Sequence, residues 1–320
     1  MYISAIIIVS YTFLGGFSAV CWTDFFQGLL VLGAMLIAPI FAAAMIVPGS
    51  VSAPGADYWN AFSSWKDIVS GLAWGLGYFG MPHIIIRFMS LRSQKELKKS
   101  AVIGISWTVI ILAFATIIGI VGRMFLGFDE VINGNSLVFI EMVRRIFPAL
   151  ISGILLSAVL AASMSTADSQ LLAASSAFAS DVYKPILRKD KAGDKEMIWA
   201  GRIVVLLVAF FAMLIASSPN SDSIMGLVSN AWGIFGAAFG PSILLSLFWK
   251  RFNFAGAIAG IFCGALSDIL WFNYLSSTGI YELGPAFVIG TLAAVIVTLL
   301  TKAPSKEVQD LFDRALEYDD

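Results

Sequence analysis

The stretch GLAWGLGYFGMPHIIIRFM, Gly71 to Met89, decides how the chain is read. It is apolar enough to enter a membrane, yet it holds four glycines, a proline, a Trp–Tyr pair and an arginine. Glycine and proline weaken or interrupt a helix. A plain membrane anchor has no use for so many weak points. A helix that opens around a ligand at mid-membrane does.

The rest of the chain supports a membrane setting. Apolar residues make up 59% of the 320, charged residues 13%, and mean hydropathy is +0.87. A soluble domain carries roughly 25% charge. The net charge of −1 points to no nucleic-acid partner. Cys21 and Cys263 form neither a disulfide framework nor a CxxC metal pattern. His83 is the single histidine, which excludes a His-rich metal site. Catalytic triads, HExxH, P-loops and GxGxxG after a strand are all missing, so no enzyme is expected.

A bilayer core needs about 20 apolar residues as a helix. The expected spans are Tyr2–Val20, Phe25–Val47, Asp67–Phe88, Ala101–Leu126, Phe147–Phe178, Ile198–Ser217, Met225–Trp249, Phe254–Phe272 and Pro285–Leu300. No barrel alternation is visible, and lipid offers the backbone no hydrogen-bond partner. The fold class is therefore an all-α polytopic membrane protein with about nine transmembrane helices. Lysine and arginine set the orientation. Sixteen of the 20 fall in the loops after the third, fifth and seventh spans, just inside the sixth, and in the tail. Only Lys66, Arg123, Arg144 and Arg145 fall on the other side. The basic loops and the C-terminus are thus expected in the cytoplasm. Residues 1–301 form a transmembrane domain and 302–320 a cytoplasmic tail. Met1 stands almost at the start of a hydrophobic span with no basic flank, so the N-terminal helices of a longer transporter are expected upstream. SLVFIEMVRRIF in the outer loop reads as a short amphipathic surface helix, and DVYKPILRKDKAGDKE as a charged inner loop.

Several constellations could carry chemistry. Trp74 and Tyr78 are four residues apart, on one helix face, with glycines around them and Pro82 four residues later. Freed carbonyls and an aromatic face suit a small zwitterion. Alternatively the glycines allow close helix packing and the aromatics anchor at the interface. In LAASMSTADSQLLAASSAF, the adjacent hydroxyls of Ser165 and Thr166 and a nearby carbonyl could bind a hard cation. The alternative is hydroxyls bonding back to their own helix. Asp168, an acid at membrane depth, favours function, unless it lies in a wet vestibule. Asp24, in CWTDFFQ, is either a helix cap or an acidic station for a departing cation. Arg87 alone reads as a topology marker. SNAWGIFGAAFGPSILL reads as a packing helix.

YTFLGGFSAVCWTDFFQG, WGLGYFGMPHIIIRFM, MSTADSQLLAASSAFASDVYK and NAWGIFGAAFGPSILLSLFWKR together resemble the sodium:solute symporter family, and within it the sodium/proline symporter branch. The resemblance runs in order from Met1 to about Phe272. It implies a LeuT-type fold of two inverted five-helix repeats. Residues 1–47 would end an incomplete first repeat, 67–249 would form the second, and 254–300 would be peripheral helices. By the same resemblance, Trp74, Tyr78 and Pro82 belong to a proline pocket. Ser165, Thr166 and the carbonyl of Ala162 belong to a sodium site. Asp24 belongs to the sodium exit path, and Arg87 to the inner end of a broken helix. The implied activity is uptake of proline coupled to inward sodium movement by alternating access. Sodium is co-transported, the bilayer is the other partner, and no protein partner is implied. A bacterial inner membrane is the implied location. The rival readings are a sodium symporter for another amino acid, a carboxylate vitamin or a sugar, and a non-transporting remnant, favoured for this chain alone by the missing helices.

Overall fold

The computed structural model describes residues 2–46, 60, 62–91, 93–127, 137–218 and 223–317. Arg92 of the first basic loop, Val47 at the end of the second expected span, positions 128–136 of the outer loop and 318–320 of the tail lie outside the described residues. The elements are α1 (Tyr2–Met45), α2 (Trp65–Leu76), a 3₁₀ turn (Gly77–Phe79), α3 (Pro82–Met89), α4 (Gln94–Leu126), α5 (Val138–Ile146), α6 (Ala149–Ala177) running into a π-helical stretch (Phe178–Leu187), α7 (Asp194–Ala216), α8 (Ile224–Phe248), α9 (Phe254–Leu270), α10 (Leu283–Leu300) and α11 (Lys306–Glu317). No strand occurs among the described residues.

Seven of these helices are long and apolar enough to cross a membrane, and the bent α2–α3 pair raises the number to as many as eight. The first of the seven covers 43 residues. At 1.5 Å per residue that is about 65 Å, twice the roughly 30 Å of a bilayer core. It runs through the first two expected spans as far as Met45, which reconciles eight with nine. The chain is a polytopic membrane protein.

The join between those two spans corrects the sequence reading. The expected break at Cys21–Asp24 is helical, and Thr23 Oγ1 donates back to the carbonyls of Ala19 and Val20. The interruption lies at Gly16, with φ 60° and ψ −162°. Only glycine occupies that region readily. The corner is tight: a methyl group at Gly15 would come within 2.3 Å of Ala19 Cβ. In an unbroken helix, Cβ atoms four residues apart stand about 5–6 Å from each other. Two adjacent glycines thus replace the expected polar loop.

Other boundaries shift in the same direction. α4 begins at Gln94, so Lys95, Lys98 and Lys99 sit on a helical extension instead of a loop. The fifth span continues to Leu187 through a π-helical stretch that contains Pro185, so the charged loop loses Asp181 to Leu187, nearly half its length. Tyr183 donates to Glu196 at 2.8 Å and Arg188 pairs with Glu196 at 2.7 Å, which ties this stretch to α7. The segment Val138–Ile146 forms the expected amphipathic helix. Val138, Met142 and Val143 are its buried face, while Glu141 pairs with Arg144 and Arg145.

The chain packs as two compact units: Met1–Gly55 with Ser90–Ser218, and Ala56–Met89 with Pro219–Asp320. Each takes helices from more than one of the expected chain sections. In the first unit, Ala34, Ala38 and Ala42 form a small-residue stripe on α1 that packs with Ile118, Val138, Met142, Leu155 and Ala158. Lipid tails are as apolar as leucine, so helices associate through close van der Waals fit, and small residues permit it. Arg202 of α7 donates to the carbonyl of Phe13 at 3.0 Å, with its guanidinium about 5 Å from the rings of Phe13 and Trp199. In the second unit, Gly256, Gly260 and Gly264 recur every fourth residue on α9. A methyl group at Gly264 would meet the Ala237 carbonyl of α8 at 2.1 Å, and one at Gly260 would meet Ala294 of α10 at 2.9 Å.

Gly16→Ala is expected to destabilise the folded protein by about 1–3 kcal/mol through the strained corner. Gly33→Ala, on an open helical surface of α1, is expected to be neutral or slightly stabilising. Thermal unfolding in one detergent compares the two; equal midpoints would contradict the corner.

Candidate functional site

The second unit holds the segment that opened the sequence reading. α2 begins behind Ser64, whose side chain accepts from the Asp67 amide, and it ends at Leu76. A 3₁₀ turn, Gly80 and Met81 follow before Pro82 starts α3. Proline suits a first helical position because its φ is preset and no donor is needed there. The two halves meet at a 49° bend. The sequence expectation of a breakable helix is met in the backbone.

Trp74 and Tyr78 were expected on one helix face, but Tyr78 falls in the 3₁₀ turn beyond the α-helix. They converge through a third residue, Trp232 of α8. Trp74 stacks on Trp232 with centroids 6.0 Å apart and on Tyr281 with centroids 5.3 Å apart. Tyr78 meets Trp232 edge-on at 4.8 Å. Offset stacks and edge contacts of this kind are the favoured aromatic geometries. The Trp74 carbonyl accepts from Trp232 Nε1 at 2.9 Å and from the Gly77 amide. Tyr281 is held by its phenol, which donates to the Ser229 carbonyl at 2.6 Å, and by its amide, which donates to Ser70 Oγ at 3.0 Å. The result is a fixed aromatic cluster beside a helix break, with Tyr78 45% exposed.

Sequence reasoning missed Trp232 and Tyr281. Trp232 stands within SNAWGIFGAAFGP, whose glycines and proline read as packing. Tyr281 lies in the connection before α10 and carried no periodic signature. The glycines serve both readings. Gly77 faces Trp232 and Gly80 faces the backbone of Phe235 and Gly236, whereas Gly71 and Gly75 face open space. Arg87 is exposed in the last turn of α3, where a cation complements the helix dipole.

The first unit holds the hydroxyl-rich helix. On α6, Ser165 Oγ and Thr166 Oγ1 each donate to the Ala162 carbonyl at 3.1 Å. Three oxygens thus converge on one spot. In this arrangement they realise the back-bonded alternative. The same lone pairs face a cation if the hydroxyl hydrogens turn away.

Three residues further along, Asp168 is fully buried. Tyr11 of α1 donates to its Oδ2 at 2.6 Å, and Ser169 Oγ lies 3.3 Å from its Oδ1. The vestibule alternative does not hold within this unit. Asp24 lies inside helical α1 and not at the start of a helix, where a cap would stand. Ser169 Oγ also reaches Asp24 Oδ2 at 3.5 Å and the Ser165 carbonyl at 2.8 Å. One hydroxyl therefore links both acids to the Ala162–Ser165–Thr166 group. Tyr11 is the partner that the sequence did not reveal.

Gly77→Ala is expected to disrupt the aromatic cluster, because its methyl group would come within 1.9 Å of Trp232 Nε1. Overpacking of this kind costs about 1–3 kcal/mol. Gly75→Ala meets nothing within 4 Å and is expected to be neutral. Tryptophan fluorescence and thermal unfolding of the two variants, measured together, check this; identical spectra would contradict the contact.

Comparison with known proteins agrees with these features. The model of the sodium:solute symporter family matches residues 1–264. The high-affinity proline transporter PutP of Bacillus subtilis is 41% identical over 315 residues, covering 96% of this chain and 66% of its own length. The osmoregulated proline transporter OpuE of the same organism is 40% identical, with 98% and 65% covered. The sodium/proline symporter of Escherichia coli is 41% identical, with 96% and 63% covered. The chain spans just under two thirds of the length of these relatives. A family match over most of the sequence, on a helical membrane scaffold with a broken span, establishes that the chain belongs to the sodium:solute symporter family.

Proposed function

We propose that the chain forms the greater part of a transporter that couples inward sodium movement to uptake of proline. The observation that carries this reading is the bent α2–α3 pair with Trp74, Tyr78 and Trp232 gathered at its break. A planar, rigid aromatic surface suits the apolar ring of proline, and its π faces attract the ammonium. Relatives whose names specify proline, at about 40% identity, support the same substrate.

In this reading, sodium binds against the Ala162 carbonyl, Ser165 and Thr166 by exchanging hydroxyl donors for lone pairs. Oxygen ligands are what a hard cation takes. Asp24 and Asp168, linked through Ser169, provide acidic stations along the route by which sodium leaves. Pro82 fixes the start of the second half-helix, and Arg87 marks its end. Sodium and proline each favour one of two arrangements, so each raises the affinity for the other by the same factor. A membrane potential adds about 2.3 kcal/mol per net charge per 100 mV. The inverted-repeat arrangement, the location in a bacterial inner membrane and a cytoplasmic C-terminus belong to the same proposal; the distribution of lysine and arginine supports the last.

Labelled proline uptake into proteoliposomes, with and without an inward sodium gradient, tests the proposal on this chain and on one extended upstream with the helices of a 41% identical relative. Sodium-dependent uptake is expected from the extended chain. Ser165→Ala with Thr166→Ala is expected to raise the sodium concentration needed by about tenfold or more, equivalent to roughly 1.4 kcal/mol. Trp74→Ala is expected to raise the KM for proline. Sodium-independent uptake, or none by a folded extended chain, would overturn the assignment.

A further inference from the structure

α8, α9 and α10 contain no lysine, arginine or histidine. Among their side chains stands one carboxylate, Asp268 of α9, and it is 1% exposed. Its Oδ1 is buried with no hydrogen-bond partner. It lies flush against α8: a methyl group at Gly233 would come within 2.7 Å of Oδ1 and 3.1 Å of Oδ2. That leaves no room on this side for an ion with its ligands. Gly233 adjoins Trp232, so the carboxyl sits directly behind the aromatic cluster.

The other charged or titratable groups near it give no relief. Glu282, 9% exposed at the start of α10, adds a second negative group whose field reaches Asp268. Burial pushes the Glu282 carboxyl above its usual range. Tyr281 is acid-silent, its phenol pushed up by burial and by Glu282. Cys263, a turn and a half earlier on α9, supplies no positive charge. Lys66 of α2 lies by Gly279, in the connection before α10, and forms no ion pair with either acid. Among the described residues, no third acid, histidine or cysteine joins the two to make a metal site. An isolated ionised carboxylate in such surroundings is far costlier than a neutral one, and groups so placed neutralise instead.

We infer that Asp268 is a proton-binding site, occupied at neutral pH, so that a neutral carboxylic acid backs the aromatic cluster of the second unit. The site lies within the second unit, and it does not depend on which solute is carried. The proton removes the repulsion from Glu282 and lets the carboxyl pack against the bare backbone of Gly233. The sign of the pH dependence follows. A carboxyl that keeps its proton in the folded protein and releases it in the unfolded chain contributes stability that is complete below the unfolded carboxylate range, near pH 4, and is lost as pH rises.

Infrared spectra of the full chain in lipid nanodiscs, at neutral pH in potassium buffer, read the proton directly through the carbonyl band of an undissociated carboxylic acid. The band is expected in the wild type and missing in Asp268→Asn, with any Glu282 contribution removed separately by Glu282→Gln. Asp268→Asn and Asp268→Ser, being neutral, are expected to fold and to flatten the decline of thermal stability at alkaline pH. A wild-type spectrum unchanged by Asp268→Asn would overturn the proposal. Bleaching of the band by added sodium would replace the proton site by a cation site. Failure of both neutral variants to fold, when Asp268→Glu folds, would show that the native group is ionised.

Discussion

Hydrocarbon offers the peptide group nothing to bond with, and that constraint shapes how the described membrane-spanning segments depart from regular helix. A lone unpaired amide or carbonyl at membrane depth costs several kcal/mol. Irregular backbone at membrane depth is stabilised where a neighbour supplies the missing bond. At the α2–α3 break, the Trp74 carbonyl receives both an amide and an indole donor. At the fifth span the backbone does not break but widens into π-helix through Pro185, keeping its bonds internal. The break is thus a supported structure whose carbonyls and rings have fixed positions, which a binding surface requires.

The second determinant is closeness of approach. With no hydrophobic drive between helices in lipid, contact area at short range holds them together. α9 offers glycines every fourth residue, and α1 offers alanines at the same interval. The same device brings Gly77 to Trp232 and Gly233 to Asp268. Close packing and candidate chemistry are therefore one feature seen twice: the missing side chain that lets two helices touch also presses a functional group against backbone.

The membrane class, the spans and the broken third span were all legible in the chain, because apolar length and glycine–proline content are local properties. Polarity points to a turn at Cys21–Asp24, whereas the corner lies at Gly16. Backbone freedom decided instead. Trp74, Ser165, Thr166 and Asp168 could be singled out by type and spacing. Their partners Trp232, Tyr281 and Tyr11 could not, because no local period records contacts between residues so far apart in the chain; Trp74 to Trp232 spans 158 positions and Tyr11 to Asp168 spans 157. The extension of α4 through Lys95, Lys98 and Lys99 was missed for a related reason. A helix leaving the bilayer keeps its hydrogen bonds while its side chains turn polar.

The corner at Gly16 has a mechanical consequence. Its two helical arms meet without a loop, so there is no slack between them. Any swing of the short arm against the long one must pass through two torsion angles of a single residue. Such a joint transmits rotation instead of absorbing it. Tyr11 on the short arm and Asp24 on the long arm stand on opposite sides of the pivot. A change in the angle there alters the spacing between the two acids that Ser169 now links, with no other part of α1 having to deform.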